Sequence, residues 1–390
     1  MGASKEDYID ALAEMDPVEL TMQLLVSADA DYAKSAVDWA EAVEEWSGGK
    51  ITFKIAYSGS IADATTMEDA LNEGLVDVGQ HQIQYKPEEF AVGNYFGGAT
   101  FLYESSPVVG TMQMVGAMGQ IWSEQDALVE ENERNGLKPL IPATATGPSA
   151  FLCTEGNAVS TLDDFDGRQV RASATERAAL LKELGAVPVD IPGSELFDAM
   201  QRGTVECADM GLTAAQVYGL LDVGKNWAFD SRVSASANPS GFDMSLAAWE
   251  DLPLAAQQLL WDRLDVFVES FLRNGVFASN AKVIDVAIEK GITFNDYDDE
   301  VVATIDSFFD DQLSHLADSA PEGVDGEAAT TAVTDAFEGW YDLVTNELGY
   351  DQEVGWQDFD SAWLEANEID LEPFVSEYVD VVLAPHRPGA

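Results

Sequence analysis

The chain is 390 residues long, which exceeds the usual size of one hydrophobic core, so two lobes are expected. Its 46% hydrophobic and 10% aromatic content excludes wholesale disorder, and no run of about 18 apolar residues is present to cross a membrane. The net charge is −52, from 71 acidic and 19 basic residues spread along the chain. Nucleic acids and anionic membranes are therefore poor partners.

The dispersed negative charge favours a surface adapted to high salt. Like charges repel one another across the folded surface and destabilise the compact state. Salt screens that repulsion, with a Debye length of about 3 Å at 1 M. An ordinary acidic protein at the edge of the usual range is the alternative.

Two features bear on the cellular compartment without deciding it. The first 17 residues contain no apolar segment of the kind found in export signals, so the protein is either cytoplasmic or exported with a signal outside this sequence. The two cysteines, Cys153 and Cys207, are compatible with a disulfide and equally with two buried thiols.

The first part of the chain alternates strands and helices. Apolar or alternating runs predict strands at 20–26, 51–59 and 75–80, and amphipathic stretches predict helices at 33–46 and 65–73. This β-α-β-α-β order predicts a parallel sheet with helices on both faces.

A second α/β unit follows over residues 137–212. Strands are expected at 137–144, 149–154, 168–173, 186–191 and 204–211, and helices at 176–184 and 193–202. Two such units in one chain predict two lobes that face a cleft.

The last third of the chain is mostly helical. An almost unbroken helix is predicted over 253–290, interrupted by Gly275 and about 55 Å long, enough to run along both lobes. A short strand at 292–297 and acidic helices at 299–318 and 328–347 follow. The final forty residues indicate an appended helical segment rather than a core element.

Signatures of common catalytic and nucleotide sites are absent from the sequence. It contains no nucleophile elbow, phosphate-binding loop, dinucleotide fingerprint, HExxH or CxxC pattern. Its three histidines (His81, His315 and His386) make a histidine-based triad or metal site hard to build. A pair of catalytic carboxylates is neither supported nor excluded in so acidic a chain.

Several stretches resemble, in order and spacing, the DctP-type extracytoplasmic binding subunits of TRAP (tripartite ATP-independent periplasmic) transporters. The stretches are WAEAVEEWSGGKITFKIAYSGSI with ALNEGLVDVG, STLDDFDGRQVRAS, LLKELGAVPVDIPGSELFDAMQRGTVECADM, and MSLAAWEDLPLAAQQLL. Each motif alone is weak, but together they cover about residues 20–300.

The resemblance implies an α/β fold of the two-lobed periplasmic-binding-protein type, type II-like, with hinge strands and a long helix across the back. Lobe I is expected to comprise 18–148 and about 239–280, lobe II 149–238 and about 281–347, and residues 348–390 the helical extension. The resemblance also implies export to the periplasm or another extracytoplasmic space.

The function implied is that of a binding protein and not of an enzyme. It would capture a small carboxylate-bearing organic acid between the lobes and deliver it to the membrane permease of a TRAP transporter, driven by an ion gradient. No cofactor is implied, and the oligomeric state stays open.

Arg171 falls at the position of the family's signature arginine, on the strand after the Asp166–Gly167 turn. In the family its guanidinium grips the ligand carboxylate, because a planar fork matches a carboxylate bidentately and stays charged. Arg168, three residues earlier, is expected to face solvent. A surface ion pair is the alternative role for Arg171.

The loop after the strand at 75–80 is the family's first-lobe wall, and it lies where ligands of open parallel sheets bind. His81, Gln82 and Tyr85 are the candidates there, with a polar surface loop as the alternative. Ser27 and Asp29, after the first strand, are weaker candidates.

The second lobe supplies the remaining candidates. They are Ser149, Phe151, Ser173, Asp209, Met210 and Asn238. Sialic-acid-binding members have a second arginine near 149–151, and its absence argues against sialic acid. Met210 replaces the usual asparagine, which disfavours a polyhydroxylated ligand. Asn238 can equally mark an Asn-Pro turn.

A metal ion at the site stays an open alternative. Keto-acid-binding members coordinate a cation with an acid at the position of Asp209, but a hard cation needs several oxygen ligands, and the sequence does not identify the others.

Other functions remain compatible with the sequence. The same architecture serves the binding subunits of ATP-driven (ABC) importers and ligand-sensing partners of membrane receptors. A secreted α/β hydrolase is a further alternative, against which stands the missing nucleophile–histidine pair.

Overall fold

The computed structural model describes residues 3–144, 147, 149–172, 174–230, 232–233 and 240–389. Its strands, in chain order, are β1 (Val18–Gln23), β2 (Ile51–Ala56), β3 (Val78–His81), β4 (Leu137–Thr144), β5 (Ser149–Cys153), β6 (Gln169–Arg171), β7 (Val187–Val189), β8 (Cys207–Gly211), β9 (Asn226–Ala228), β10 (Ser240–Ser245) and β11 (Thr293–Asn295). Strands β1–β8 and β11 lie close to the segments that the hydrophobic pattern predicts.

The strands form two separate sheets. The first has the order β2-β1-β3-β10-β4, and the second has the order β11-β9-β5-β8-β6-β7. In each sheet three neighbouring strands are parallel, as the β-α-β pattern predicts, and antiparallel strands are added on one side. The predicted two-lobed α/β architecture is confirmed.

Two of the three passages of the chain between the sheets join one strand directly to the next, and the third, from β10 to β11, runs through helices. The chain leaves the first sheet after β4 to enter the second at β5, and it returns from β9 to β10. Crossings of this kind are the hinge strands that the sequence led us to expect, because a short double connection lets two lobes rotate about it.

The helices cover the faces of both sheets. In chain order they are α1 (Lys5–Ala11), α2 (Lys34–Trp46), α3 (Met67–Asn72), α4 (Ala91–Gly97), α5 (Val109–Glu124), α6 (Asp126–Arg134), α7 (Leu162–Phe165), α8 (Thr175–Glu183), α9 (Gly193–Gln201), α10 (Leu212–Val217), α11 (Leu246–Glu250), α12 (Leu254–Asp262), α13 (Leu264–Ser270), α14 (Ser279–Glu289), α15 (Asp299–Leu316), α16 (Gly326–Asp342), α17 (Ser361–Ala366) and α18 (Glu372–Tyr378). Among the described residues, none of these helices is both long and apolar enough to cross a bilayer.

Aspartates begin several of the later helices. The carboxylates of Asp298, Asp325 and Asp360 precede α15, α16 and α17, and each accepts a hydrogen bond from a backbone N–H three residues ahead. Those N–H groups have no partner within the helix, so the acids satisfy them and also oppose the positive end of the helix dipole. Part of the acidic excess therefore has a local structural role.

The long helix predicted over 253–290 is broken rather than continuous. A non-helical turn at Arg263 separates α12 from α13, and a wider π-helical segment, Phe271–Ala278, joins α13 to α14. A side chain at Gly275 would lie 3.1 Å from the Phe271 ring, so glycine allows this close approach. The stretch from α13 to α14 spans about 39 Å at 1.5 Å per residue.

This helical stretch nevertheless connects both lobes, as the sequence predicts. Its first part, α13, packs against α2 beside the first sheet, and its last part, α14, packs against α10 beside the second sheet. A single element that contacts both lobes constrains how they move relative to each other.

The C-terminal segment is part of the core, which corrects the expectation that residues 348–390 are merely appended. Trp356, Phe359, Phe374 and Tyr378 are at most 3% exposed and belong to the main hydrophobic cluster. The indole N–H of Trp261 donates to the carbonyl of Leu383 at 2.8 Å. The high acid content of this segment conceals a continuous apolar face.

The chain ends are tied to the break in the long helix. The hydroxyl of Tyr8 donates to Asp262 at 2.6 Å, and the Arg387 guanidinium donates to the same carboxylate at 2.8 Å. Because Asp262 is 6% exposed, these two partners satisfy a carboxylate that would otherwise be costly to bury.

Helix α16 departs from the expected lobe boundaries. Residues up to 347 were assigned to the second lobe, and Phe308 and Phe309 of α15 do pack there. However, α16 packs against α5. A side chain at Gly116 of α5 would lie 2.2 Å from the Trp340 ring, so the small residue lets α16 approach.

The burial of the C-terminal segment predicts a large effect of one substitution. Phe359→Ala should lower the free energy of unfolding by about 3–5 kcal/mol, because it empties a fully buried ring site. Tyr341→Ala removes a ring that is 41% exposed and should change stability by less than about 0.5 kcal/mol. Urea unfolding measures both, and equal effects would contradict the packing described.

Candidate functional site

Arg171 lies at the last residue of β6, where the carboxyl end of the strand opens toward the other lobe. Its Nε donates to the carbonyl of Ile191 at 3.2 Å, and its Nη1 donates to the carbonyl of Asp209 at 3.1 Å. Two main-chain carbonyls thus orient the half-buried guanidinium without neutralising its charge.

Arg171 has no ion-pair partner among the described residues, although the chain contains 71 acids. Seven of the nine arginines do pair with a carboxylate, including exposed ones such as Arg202 and Arg273. Arg168 instead donates to Asn157 and to the carbonyl of Asp164, on the protein's flank. The surface ion pair considered as an alternative for Arg171 is therefore not formed.

Tyr85 lies on the short turn Ile83–Tyr85 that follows β3 and is exposed. Burial by surrounding atoms raises the pKa of the Tyr85 hydroxyl, the charge on Tyr218 raises it further, and the charge of Arg171 lowers it. Gln82, half-buried, stands just before the single turn Ile83–Tyr85 that carries Tyr85.

His81 does not face the cleft. It is 2% exposed, its Nδ1 lies 3.0 Å from the carboxylate of Asp243 on β10, and its ring packs edge-on against Phe90. As a ligand contact it is therefore poorly placed. As the last residue of β3, it instead ties the end of that strand to β10, just before the turn that carries Tyr85.

Gln23, which the sequence analysis missed, holds the neighbouring first-lobe loop. Its amide nitrogen donates to the carbonyl of Ala62 at 2.5 Å, and its amide oxygen accepts from the N–H groups of Ile61 and Ala62. The sequence could not reveal this role, because the partners of such a glutamine become apparent only when the position of the loop is known. The weaker candidates Ser27 and Asp29 are exposed and interact with each other.

Asp209 is buried inside the second lobe and pairs with Arg177, a residue that sequence reasoning also missed. The Arg177 guanidinium donates three hydrogen bonds of 2.7–3.1 Å to its two carboxylate oxygens. Burial opposes the charge of Arg177, but Asp209 raises the pKa of Arg177 above its usual value. The side chain of Asp209 is thus engaged by an internal cation.

The metal alternative gains no support from the geometry. Among the residues that the structure describes, no three His, Cys, Asp or Glu side chains are grouped so as to hold a metal ion.

The other second-lobe candidates are distributed around β5 and β8. Phe151 is 2% exposed and lies under the Arg177 guanidinium, 5.6 Å from ring centre to charge. Met210, on the opposite face of the sheet, belongs to the main core, and Ser149 lines a small cavity with Arg177 and Trp356. Ser173 and Asn238 fall outside the described residues.

A disulfide joins Cys153 and Cys207, which resolves the open question of their pairing. The two cysteines are direct partners on the antiparallel strands β5 and β8, with a Cα–Cα distance of 4.0 Å. They lie on the same face of the sheet as Asp209 and Phe151, because side chains alternate along each strand. The disulfide therefore holds β5 and β8 together beside the buried Arg177–Asp209 ion pair.

The family model for bacterial extracellular solute-binding proteins, family 7 (DctP), matches residues 24–313. A solute-binding protein of Albidiferax ferrireducens is 22% identical over 190 residues, which make up 48% of this chain and 52% of the relative. The chain thus matches about half the length of this curated relative.

Solved structures share the fold over most of the chain. A TRAP periplasmic solute-binding protein from Bordetella bronchiseptica with bound mandelate has a TM-score of 0.69 at 19% identity, covering 83% of this chain and 99% of that one. A TRAP periplasmic solute-binding protein from a Sulfitobacter species with bound β-D-galacturonate has a TM-score of 0.63 at 15% identity, covering 82% and 99%. At such identities the likeness establishes the fold and not the ligand.

The contribution of the buried Arg177–Asp209 ion pair to stability can be tested by substitution. Asp209→Leu should cost about 3–5 kcal/mol of unfolding free energy, because it leaves Arg177 charged, buried and without its carboxylate. Combining it with Arg177→Met should restore most of the loss, since the double variant buries no charge.

Asp198→Ala, which breaks an exposed ion pair with Arg202, should change stability by less than about 0.5 kcal/mol. Chemical denaturation of the three variants measures these differences. A nearly neutral Asp209→Leu variant would contradict the described burial of the pair.

Proposed function

The chain belongs to the DctP family of bacterial extracellular solute-binding proteins, and from that premise we propose that it captures a carboxylate-bearing organic acid in the cleft and delivers it to the permease of a TRAP transporter. Its family and fold neighbours are binding proteins and not enzymes. The proposal concerns this chain's own ligand, site residues and partner.

The charge of Arg171, which no carboxylate in the described part of the chain compensates, is the observation that supports this proposal most strongly. A half-buried guanidinium is held by two carbonyls at the mouth between two lobes, in a protein whose other arginines mostly pair with acids. Main-chain carbonyls orient such a group but leave its positive charge available. A ligand carboxylate supplies the missing negative charge through short, charge-assisted hydrogen bonds.

Closure of the cleft supplies the mechanism. Arg171 comes from the second lobe and Tyr85 from the first, so a ligand between them contacts both. A ligand that binds the closed arrangement better than the open one shifts the population toward closure. The permease then distinguishes loaded from empty protein by the relative position of the lobes.

The disulfide supports an extracytoplasmic site of action for this chain. Disulfides persist in oxidising compartments such as the periplasm and are rare in the reducing cytoplasm. Both cysteines are fully buried, so the disulfide is placed for a structural role and is not accessible to redox partners.

Removal of the Arg171 guanidinium tests the proposal. Arg171→Ala should weaken binding of any carboxylate ligand by at least about 30-fold, because losing one partner of a desolvated charge pair costs about 2 kcal/mol or more. Titration calorimetry after unfolding, dialysis and refolding, which removes any ligand retained from expression, gives the dissociation constants.

Arg202→Ala is the matched control, since it changes the net charge equally at an exposed site. It should bind as the unaltered protein does. If Arg171→Ala is folded and keeps its affinity within threefold, the proposed role of this arginine is wrong.

A further inference from the structure

A partly open cavity lies where α5, α15 and α16 meet the chain at residues 102–104. Its volume is about 520 Å³, and its apolar walls include Leu313 of α15 and Phe337 of α16. Sites for small organic molecules typically measure about 300–1,000 Å³. The cavity is therefore large enough for such a molecule, and none of the residues that line it is a proposed contact of the organic acid.

Three carboxylates line this cavity, and none of the described residues around it is basic. Glu104 is half-buried just before α5, whereas Glu338 and Asp342 are exposed and lie one turn apart on the same face of α16. Like charges four residues apart on a helix repel each other. A cavity lined by one sign of charge attracts ions of the opposite sign, so its ligand would be a cation.

A buried glutamine holds the two sides of the cavity together. The amide oxygen of Gln113 accepts from the backbone N–H of Glu104 at 2.7 Å, and its amide nitrogen donates to the carbonyl of Phe337 at 2.9 Å. Gln113 is 4% exposed, and Phe337 directly precedes Glu338. One side chain thus sets the distance between the carboxylates on the two sides before any ligand binds.

The carboxylates do not converge on one point as metal ligands do. Among the residues that the structure describes, no three His, Cys, Asp or Glu side chains are grouped so as to hold a metal ion. Carboxylates spread around an apolar-walled cavity instead suit a cation that is larger than a metal ion and itself partly apolar.

An exposed aromatic ring completes the lining. Tyr341 is 41% exposed, although it lies three residues after Glu338 on the cavity face of α16. Aromatic rings attract ammonium groups and also give apolar contact to their substituents. Burial raises the pKa of Glu104, so a cation beside it would offset the cost of burying its charge.

We propose that this cavity binds a small organic ammonium ion with apolar substituents, between Glu104 on one side and Glu338, Tyr341 and Asp342 of α16 on the other. The carboxylates attract the charge, and Tyr341, Phe337 and Leu313 contact the substituents. The site is additional to the proposed organic-acid site at Arg171 and does not depend on it.

Titration calorimetry with choline and 3,3-dimethylbutan-1-ol tests the inference, because the alcohol has the same shape as choline and lacks only its charge. Choline should bind at least about tenfold more tightly than the alcohol, since only choline gains from the carboxylates and the ring. Added sodium chloride should weaken the binding of choline more than that of the alcohol.

Substitutions locate the binding of choline. Glu104→Gln and Glu338→Gln should each weaken it by at least about threefold, because each removes one attracting charge and keeps the shape of the side chain. Asp198→Asn is the matched control, since it removes the same charge at an exposed position outside the cavity. It should leave the affinity for choline unchanged.

Three results would overturn the inference. They are no binding of choline, equal binding of choline and the alcohol, and a loss in Asp198→Asn as large as that in Glu104→Gln and Glu338→Gln, which would show attraction by net charge alone. The affinity of these variants for organic acids should match that of the unaltered protein, so a failure here is distinct from a failure of the role proposed for Arg171.

Discussion

Arg171 is a cation that the second sheet orients and that no carboxylate among the described residues neutralises. Arg171 receives its orientation from two carbonyls on neighbouring strands and loops, and those carbonyls stay fixed only if the second sheet stays fixed. Arg177, six residues later, shows the opposite solution, since Asp209 neutralises it completely within the core. The contrast distinguishes an arginine that is paired inside the core from one that has no carboxylate partner among the described residues.

The second sheet is strengthened directly behind this point. The disulfide between β5 and β8 and the Arg177–Asp209 pair lie on one face, and both hold the strand whose Asp209 carbonyl orients Arg171. The C-terminal segment packs against the connection between the two sheets, where Trp356 lies against Gly147, between β4 and β5. A braced second sheet and a packed connection between the sheets are what the closure proposed above requires.

Much of this could be predicted from the sequence because local patterns carry local structure. Strands β1–β8 follow the apolar or alternating runs, and Arg171 could be named as a candidate because its strand resembles a family motif. Interactions between distant residues carried no such signal. The His81–Asp243 contact joins residues 162 positions apart, and the Tyr218 ring over Gly193 depends on how two helices meet. The core role of Phe374 and Tyr378 was missed because the charge around them dominated the composition.

The most direct measurement is a crystal structure of the protein with a bound acid that titration has shown to bind. The account predicts closed lobes and both carboxylate oxygens within hydrogen-bond distance of the Arg171 guanidinium. An acid found elsewhere, for example in the cavity beside Arg177 and Trp356, or a carboxylate that Arg171 does not contact, would contradict it.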